Sequence, residues 1–566
     1  MPLAKNAAVG TSVDCARDPS HLVNAAFLEH AGIRARTSLD FNYWESHLQN
    51  HPDPEFVEYI LNCIKFGVDI GYRGKIHTCI SDNWPSAEKY STHIAESINL
   101  NISKGRVAGP FDHPPLKNFV ASPLGAFAKN RLGKLKVRTI HDLSWPPGRS
   151  INDGINPEDC KLTYQSIDHV VQLCQEFEKK HGQPPMLAKC DLTSAFSHII
   201  VQTSDWHKLG FTFNGKYYVS LCLPFGLRSS PKIFDMFAQG LEFMAIQNGT
   251  NPETSHYLDD TITLGLGYAN TDQSIEIFKH TAKDSGWEIQ ETKCTKPDYE
   301  TEHLGVMFDT PNHQLRISAD RLSEICALLR EWLSKNICTK RQLLSLIGKL
   351  SFVARVVRCS RTFLRRLIDL SKRVRFLHFK IKLNCQARAD IAWWLTNIES
   401  HNGVSYFPEP WVDNDNLQLW TDASNVAAGA VFKNEWFCVP FIGDKKWMAD
   451  MPIAWRELYI VVLSLNTWGE KMIAHRITLN VDNMAICHCI NKGSSKNPEL
   501  MELIRCLYYV MFKYDMECKA VYLPSAANVQ ADAISRLDFI TFRNSKPESN
   551  RWQTGYKEIS YYGIAI

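Results

Sequence analysis

The sequence predicts a multidomain α+β protein, and three observations carry that reading. At 566 residues the chain is longer than one hydrophobic core ordinarily serves, and three or four domains are expected. Its 45% hydrophobic and 22% charged residues are those of an ordered globular protein. Short alternating apolar runs also interleave with helical patterns in two separate regions, and in both regions strands end on carboxylates.

The elements follow in chain order. Residues 1–100 read as mixed and partly helical, from Pro54-Glu55 through Gly67, and show no chemistry. Residues 106–125 are rich in Pro and Gly and read as an extended connector. From 126 to 310 a small antiparallel sheet is expected among helices. Met186-Leu187-Ala188-Lys189-Cys190 reads as a buried strand that delivers Asp191 at its end. Phe213-Asn214-Gly215-Lys216 reads as a hairpin, because Asn-Gly tolerates the positive φ of a type I′ turn. The loop from 223 to 231 leads into a helix over 229–247, with Pro231 in its first turn. Tyr257-Leu258-Asp259-Asp260 joins two short strands at an acidic pair. A helix over 271–285 is expected, with Thr271 or Asp272 as cap and Gly286 as stop, and residues 311–400 read as mostly helical.

The second region opens with the strand Leu417-Gln418-Leu419-Trp420-Thr421-Asp422, which ends in an acid. Strands over 428–432 and 435–441 come next, then a helix over 453–468 that carries Glu457 near its start. The strand over 476–481 runs into Asp482; two helical segments, a strand over 517–523 and a last helix over 528–536 with Asp532 complete the region.

The carboxylates suggest the chemistry. Two acids in a turn are ordinarily just solvated, and one acid at a strand end is ordinarily a cap. Phosphoryl transfer with two metal ions, however, needs carboxylates from separate segments, because the ions sit about 3.5–4 Å apart. Carboxylate oxygens suit Mg²⁺, which completes its shell with water and substrate phosphates. Asp191 and the pair Asp259-Asp260 meet that need if a sheet brings them together.

Charge is unevenly distributed. The net is only +3, yet residues 335–382 hold 14 Lys or Arg against one acid, Asp369. A charge run is commonly a solvated face. This one also carries Leu343, Ile347, Leu350, Val353 and Val357 at helical spacing, followed by Phe363, Leu364, Leu367 and Ile368. Two helices with apolar stripes and basic opposite faces suit a grip on a nucleic-acid duplex through its phosphates, without sequence preference. The 17 cysteines show no metal-ligand pattern, and Cys487-His488-Cys489 falls on a helix without a second pair at zinc spacing. Residues 1–19 lack the apolar core of a signal peptide, and no apolar run reaches the roughly 18 residues of a membrane span. An intracellular, cytoplasmic or nuclear, location is therefore expected, with no membrane partner.

The ordered motifs Cys190-Asp191-Leu192-Thr193-Ser194-Ala195-Phe196, Leu223-Pro224-Phe225-Gly226-Leu227-Arg228-Ser229-Ser230-Pro231 and Tyr257-Leu258-Asp259-Asp260 resemble reverse transcriptases. Upstream, residues 136–144 look like the fingers motif that meets the incoming triphosphate, and His303-Leu304-Gly305-Val306 resembles the primer-grip turn. Gly109-Pro110-Phe111, Ser122-Pro123-Leu124-Gly125, Ser150-Ile151-Asn152-Asp153 and Leu209-Gly210-Phe211 extend the resemblance to DIRS-like, tyrosine-recombinase retrotransposons, over roughly residues 50–540. The order βββαβαβα with Asp422, Glu457, Asp482 and Asp532 resembles the ribonuclease H fold.

The resemblance implies a right-hand polymerase of fingers, palm and thumb followed by an α/β ribonuclease H-like domain. The expected partition is an N-terminal extension at 1–105, fingers and palm at 106–310, a basic thumb or connection at 311–405, the nuclease at 413–540 and a tail at 541–566. Asp191, Asp259 and, as support, Asp260 are expected to hold two Mg²⁺ ions, or Mn²⁺ in their place. Asp422, Glu457, Asp482 and Asp532 are expected to hold a second pair. Lys136 and Arg138 would clamp the triphosphate, Phe196 would exclude a 2′-hydroxyl, Gly226 would let the backbone approach the template-paired nucleotide, and Lys293 would protonate pyrophosphate. RNA template, DNA primer, RNA–DNA hybrid and deoxynucleoside triphosphates are the implied partners. The family's nuclease often has a histidine before its last acid, and residues 520–527 contain none, with Tyr522 near that slot. Tyr561 and Tyr562 read as tail residues, so a recombinase is expected elsewhere. Two other readings stay open: a degenerate or domesticated protein that binds nucleic acid without catalysis, and a telomerase-like or group II intron-type polymerase, which the second region disfavours.

Overall fold

The structure, a computed structural model, describes residues 35–561, 564 and 565 apart from 77, 132–133, 358, 406–409 and 525–526, and gives backbone alone at 129–131, 134–136, 405, 560–561 and 564–565. Residues 1–19, the Lys136 side chain and Tyr562 lie outside the described residues. The chain divides into two compact units, 1–301 and 302–566.

In the first unit, Asp53 caps the helix Pro54–Phe66 by accepting from Phe56 N at 3.1 Å, and Gly67 ends it at φ 85°. Residues 106–125 are not a free connector. Val107–Phe111 pairs antiparallel with Lys216–Ser220, with a bulge between Ala108 and Phe111. Gly109 makes this fit: at φ +130° its Cα sits against the Tyr218 ring, where a Cβ would lie 2.7 Å from a ring carbon. The expected hairpin is present, with Asn214 and Gly215 at φ 49° and 73° joining Gly210–Phe213 to Lys216–Ser220. Leu124–Arg131 and Lys134–His141 form a separate two-stranded ribbon.

A three-stranded antiparallel sheet lies at the heart of this unit. Met186–Asp191 and Thr254–Tyr257 flank the central strand Asp260–Gly265. The helices Ser230–Gln247 and Gly267–Asp284 bury Phe234, Phe237, Met244, Ile275 and Phe278 in the same core. The second helix starts at Gly267, four residues before the expected cap. Asn270 brings this about: its side-chain oxygen accepts from Leu266 N at 2.9 Å, one turn inside the helix end. Gly286 stops it as expected, at φ +99°.

In the second unit the expected helical stretch contains Ala319–Ser334, Lys340–Val353, Arg365–Lys372 and Cys385–Asn397. Thr339 and Gln342 form a reciprocal capping box at the start of Lys340–Val353, and Leu343, Ile347, Leu350 and Val353 face inward. Phe363 and Leu364 lie in a short 3₁₀ turn rather than in the second helix. The last region has strands Leu419–Ala423, Ala427–Phe432 and Glu435–Pro440 in antiparallel order. The helix Ile453–Trp468, the parallel strands Arg476–Val481 and Glu517–Tyr522, and the helices Met484–Lys492, Pro498–Lys513 and Val529–Ser535 complete it. Among the described residues every cysteine is free, and no helix is long and apolar enough to cross a membrane.

Candidate active sites

The first site is built by strand register. Asp260 pairs directly with Asp191 across adjacent antiparallel strands, so both side chains leave the same face. Asp259 sits in the two-residue turn before Asp260, and its carbonyl accepts from Leu192 N at 3.0 Å. The turn runs through Leu258 at φ 53°, a conformation that a bulky residue adopts at a cost. Asp191 is held from behind, its carbonyl accepting from Gln290 N at 2.8 Å.

Two lysines meet these acids. Lys293 places its Nζ at 2.7 Å from both oxygens of Asp191, and Lys189 places its own 3.3 Å from Asp260 Oδ1. Sequence reasoning missed Lys189 as a site residue, although it lies two residues before Asp191 and therefore on the same strand face. Burial raises the Asp259 carboxyl above its usual range; the Asp191 charge raises it further, and Lys293 opposes both. This is a cluster of hard oxygen donors that draws cations, and Mg²⁺ fits such donors. Among the described residues no three His, Cys, Asp or Glu side chains close on one point as they stand, so an ion would have to turn the acids inward and displace the lysines.

The remaining predicted residues fall on other segments of the first unit. Phe196 is nearly buried, its ring tilted on Phe225 at 4.9 Å and edge-on to Phe234 at 5.5 Å. Arg138 is exposed on the ribbon strand Lys134–His141, opposite Phe127. Gly226 stands at φ +108° with a hypothetical Cβ 2.3 Å from the His141 carbonyl oxygen, and its own carbonyl accepts from Asn152 Nδ2 at 2.8 Å. The close approach it permits is therefore to the protein's own backbone. Arg228 donates to the Ile155 carbonyl at 2.8 Å and to that of Asn152, tying the same loop down.

The second unit gathers the other four acids. Asp422 is the penultimate residue of the strand Leu419–Ala423, and the Ser535 hydroxyl donates to its carboxylate. Burial pushes Asp422 up to about 6; Ser535 pulls it back while the charges of Asp482 and Asp532 raise it. Burial also pushes Glu457 up to about 7, with Asp482 and Asp422 adding to it and the Asn483 amide opposing. Glu457 Oε2 is buried with no hydrogen-bond partner among the described residues, and such an atom fits a cation. Asp532 pairs with Arg536 at 2.8 Å. Ser535 and Asn483 were not singled out from sequence, though each lies within three residues of an acid that was. Tyr522 is 44% exposed at the end of its strand.

The first cluster lies within a segment that matches a known family. Residues 126–308 match the reverse transcriptase (RNA-dependent DNA polymerase) family. The "Retrovirus-related Pol polyprotein from transposon opus" of Drosophila melanogaster is 24% identical over 383 residues, 63% of this chain and 35% of that one. The "Transposon Tf2-3 polyprotein" of Schizosaccharomyces pombe is 21% identical over 367 residues, 62% of this chain and 25% of that one. The chain thus spans about a third or less of the length of these curated relatives. Among solved structures, a foamy viral protease-reverse transcriptase in complex with double-stranded DNA aligns with TM-score 0.49 and 13% identity, covering 87% of this chain and 83% of that chain. The foamy viral enzyme in complex with RNA/DNA hybrid aligns with TM-score 0.47 and 13% identity, covering 86% and 64%. The fold is multidomain and α+β, and its segment 126–308 is the one that matches reverse transcriptases.

Proposed function

We propose that this chain is the RNA-directed DNA polymerase of a DIRS-like retrotransposon, joined to a ribonuclease H-like nuclease. The observation that carries the reading is the direct cross-strand pairing of Asp191 with Asp260, beside a strained turn presenting Asp259, inside the segment that matches reverse transcriptases. Asp191 and Asp259 hold two Mg²⁺ ions and Asp260 supports them. When bound, the ions supply an activated primer hydroxyl and charge neutralisation at the transferring phosphate. Lys136 and Arg138 bind the triphosphate from the ribbon, and Phe196 walls the ribose. Lys293, which pairs with Asp191 as the site stands and would leave it when an ion binds there, gives a proton to leaving pyrophosphate. Asp422, Glu457, Asp482 and Asp532 form the hydrolytic site for the RNA strand of a hybrid. The basic face beside Lys340–Val353 grips the duplex, and the free thiols suit a reducing intracellular compartment.

Primer extension on an RNA template, with Mg²⁺ and deoxynucleoside triphosphates, tests this. Asp259→Asn should lower the rate by roughly a thousandfold or more, since several kcal/mol of charge stabilisation go with one metal ligand, while hybrid binding is retained. Extension by the variant at the wild-type rate would remove the assignment. A wild-type chain that binds hybrid yet never extends a primer would be the catalytically silent element protein instead.

A further inference from the structure

After the helix Arg365–Lys372 the chain alternates cations and rings in a way that gripping a duplex does not use. The run is Arg373-Val374-Arg375-Phe376-Leu377-His378-Phe379-Lys380-Ile381-Lys382. Its last three residues pair antiparallel with Ile337–Thr339, placing Cys338 opposite Ile381, and both side chains are buried. Its backbone is tied down further. Lys340 N donates to the Phe379 carbonyl at 3.0 Å, Arg341 N to that of Leu377 at 2.9 Å, and Lys340 Nζ to that of Val374 at 2.7 Å.

The side chains of this anchored loop point outward. Phe376, Leu377 and Phe379 are 48%, 45% and 42% exposed. The rings form one group: Phe376 lies 5.1 Å from Phe379 and 5.9 Å from His378, and the Arg375 guanidinium stands 5.3 Å over the Phe376 ring. No acid occurs between Asp369 and Asp390, while Lys372, Arg373, Arg375, Lys380, Lys382 and Arg388 all do. Contiguous exposed apolar surface marks an interaction site. A partner that covers it must be anionic and must offer flat apolar faces. Nucleic acid has both properties. A duplex shows its phosphates but buries its base faces in its own stack, so only unpaired nucleotides satisfy rings and cations together.

We propose that the loop 373–382 is a stacking platform for single-stranded nucleic acid, with Phe376, His378 and Phe379 taking base faces and Arg373, Lys380 and Lys382 taking phosphates. The proposal rests on the polymerase reading only for the presence of an unpaired strand. Its recognition chemistry stands apart from catalysis.

The test is fluorescence anisotropy with the full chain, on a labelled single-stranded oligoribonucleotide and on a blunt RNA–DNA hybrid of equal length. The double variant Phe376→Ala/Phe379→Ala should weaken single-strand binding by about tenfold or more and leave hybrid binding within about twofold. The slope of log Kd against log salt should not change, because no phosphate contact is lost. Lys380→Gln/Lys382→Gln should weaken both ligands and reduce the single-strand slope by about 1.4. If the alanine variant melts early, Phe376→Leu/Phe379→Leu replaces it, keeping apolar bulk but no flat face, and the same selective loss is expected. Equal loss on both ligands would make the loop a duplex contact, and no loss on either would leave no platform. Undiminished strand binding together with lost binding to phosphatidylserine vesicles would make it a membrane-facing patch. Each of these three results overturns the proposal. If wild type never extends a primer yet the selective loss persists, the polymerase reading falls and the platform stands.

Discussion

Phe196 packs into the core by its contacts, and the proposed function gives it sugar selectivity as well. Its ring lies on Phe225 and against Phe234, and it is 8% exposed, so most of it belongs to the core. It also follows Asp191 by five residues, on the 3₁₀ turn Ala195–His198 that leaves the carboxylate strand. Truncation to alanine would open a cavity costing about 3–5 kcal/mol and confuse the two roles. Phe196→Val keeps more of the packing and still removes the proposed wall. It should raise the ratio of ribonucleotide to deoxynucleotide incorporation, measured as kcat/KM, by about tenfold or more, the range that pocket shape ordinarily governs. An unchanged ratio would make Phe196 a core residue alone. Gly226 teaches the opposite lesson. The sequence marks a glycine in a loop beside the site, but its φ and its contact with the His141 carbonyl belong to the loop's own closure. Lys189 and Ser535 were harder to read, because their roles depend on partners across a strand pair and across the sheet, which spacing within one segment does not display.

At the scale of elements, the hydrophobic pattern was legible wherever one face is buried. Asp191 ends its strand as expected, Asp260 opens the next one, and Asp422 stands one residue before the end of a strand that begins at Leu419 rather than Leu417, because Asn414–Leu417 is helical. The pattern failed at Val107–Phe111, where Gly109-Pro110 breaks the alternation and a bulge absorbs the break. It also failed at the start of Gly267–Asp284, where Asn270 caps from inside. A further device was invisible in sequence. His256, on the strand entering the acidic turn, is buried against Asp235 and Glu242 of the helix Ser230–Gln247, with its Nε2 3.4 Å from Asp235. Gln239 also donates to Asp235, at 2.7 Å. Burial lowers the imidazolium, but the two carboxylates outweigh it and raise His256 from 6.5 to about 9. This pairing is fully stabilising below pH 6.5, where the ring is charged folded or unfolded, and is lost as the pH rises through about 9. The span corresponds to a contribution on the order of 3 kcal/mol. The urea midpoint for unfolding of this unit, followed by tryptophan fluorescence, should fall between those pH values in wild type and should fall less in His256→Gln. Parallel pH profiles for the two proteins would show that the imidazole does not clamp strand to helix.

At the scale of the whole molecule, the two carboxylate clusters fall in different compact units, one within 1–301 and the other within 302–566. Each has its own buried surroundings and its own supporting groups: Lys189 and Lys293 for the first, Ser535, Asn483 and Arg536 for the second. That much was legible in sequence, because each cluster has its own pattern of strands and helices; Lys189 on the first and the Ser535 hydroxyl on the second were not. Separate support has a chemical consequence. Burial first, and neighbouring charge second, hold Asp422 and Glu457 above their usual range, so loss of one charge in the second cluster relieves part of that rise. Asp482→Asn is the substitution to make, since Asp482 raises both of those groups. If the second cluster is the nuclease site proposed above, the substitution should slow RNA-strand cleavage of a labelled RNA–DNA hybrid by roughly a hundredfold or more, the loss expected when one metal ligand goes. In the same preparation primer extension should stay within about twofold of wild type, because the groups that would position primer and triphosphate are not disturbed. Loss of both activities together, with the melting transition unchanged, would mean that the two clusters do not act independently.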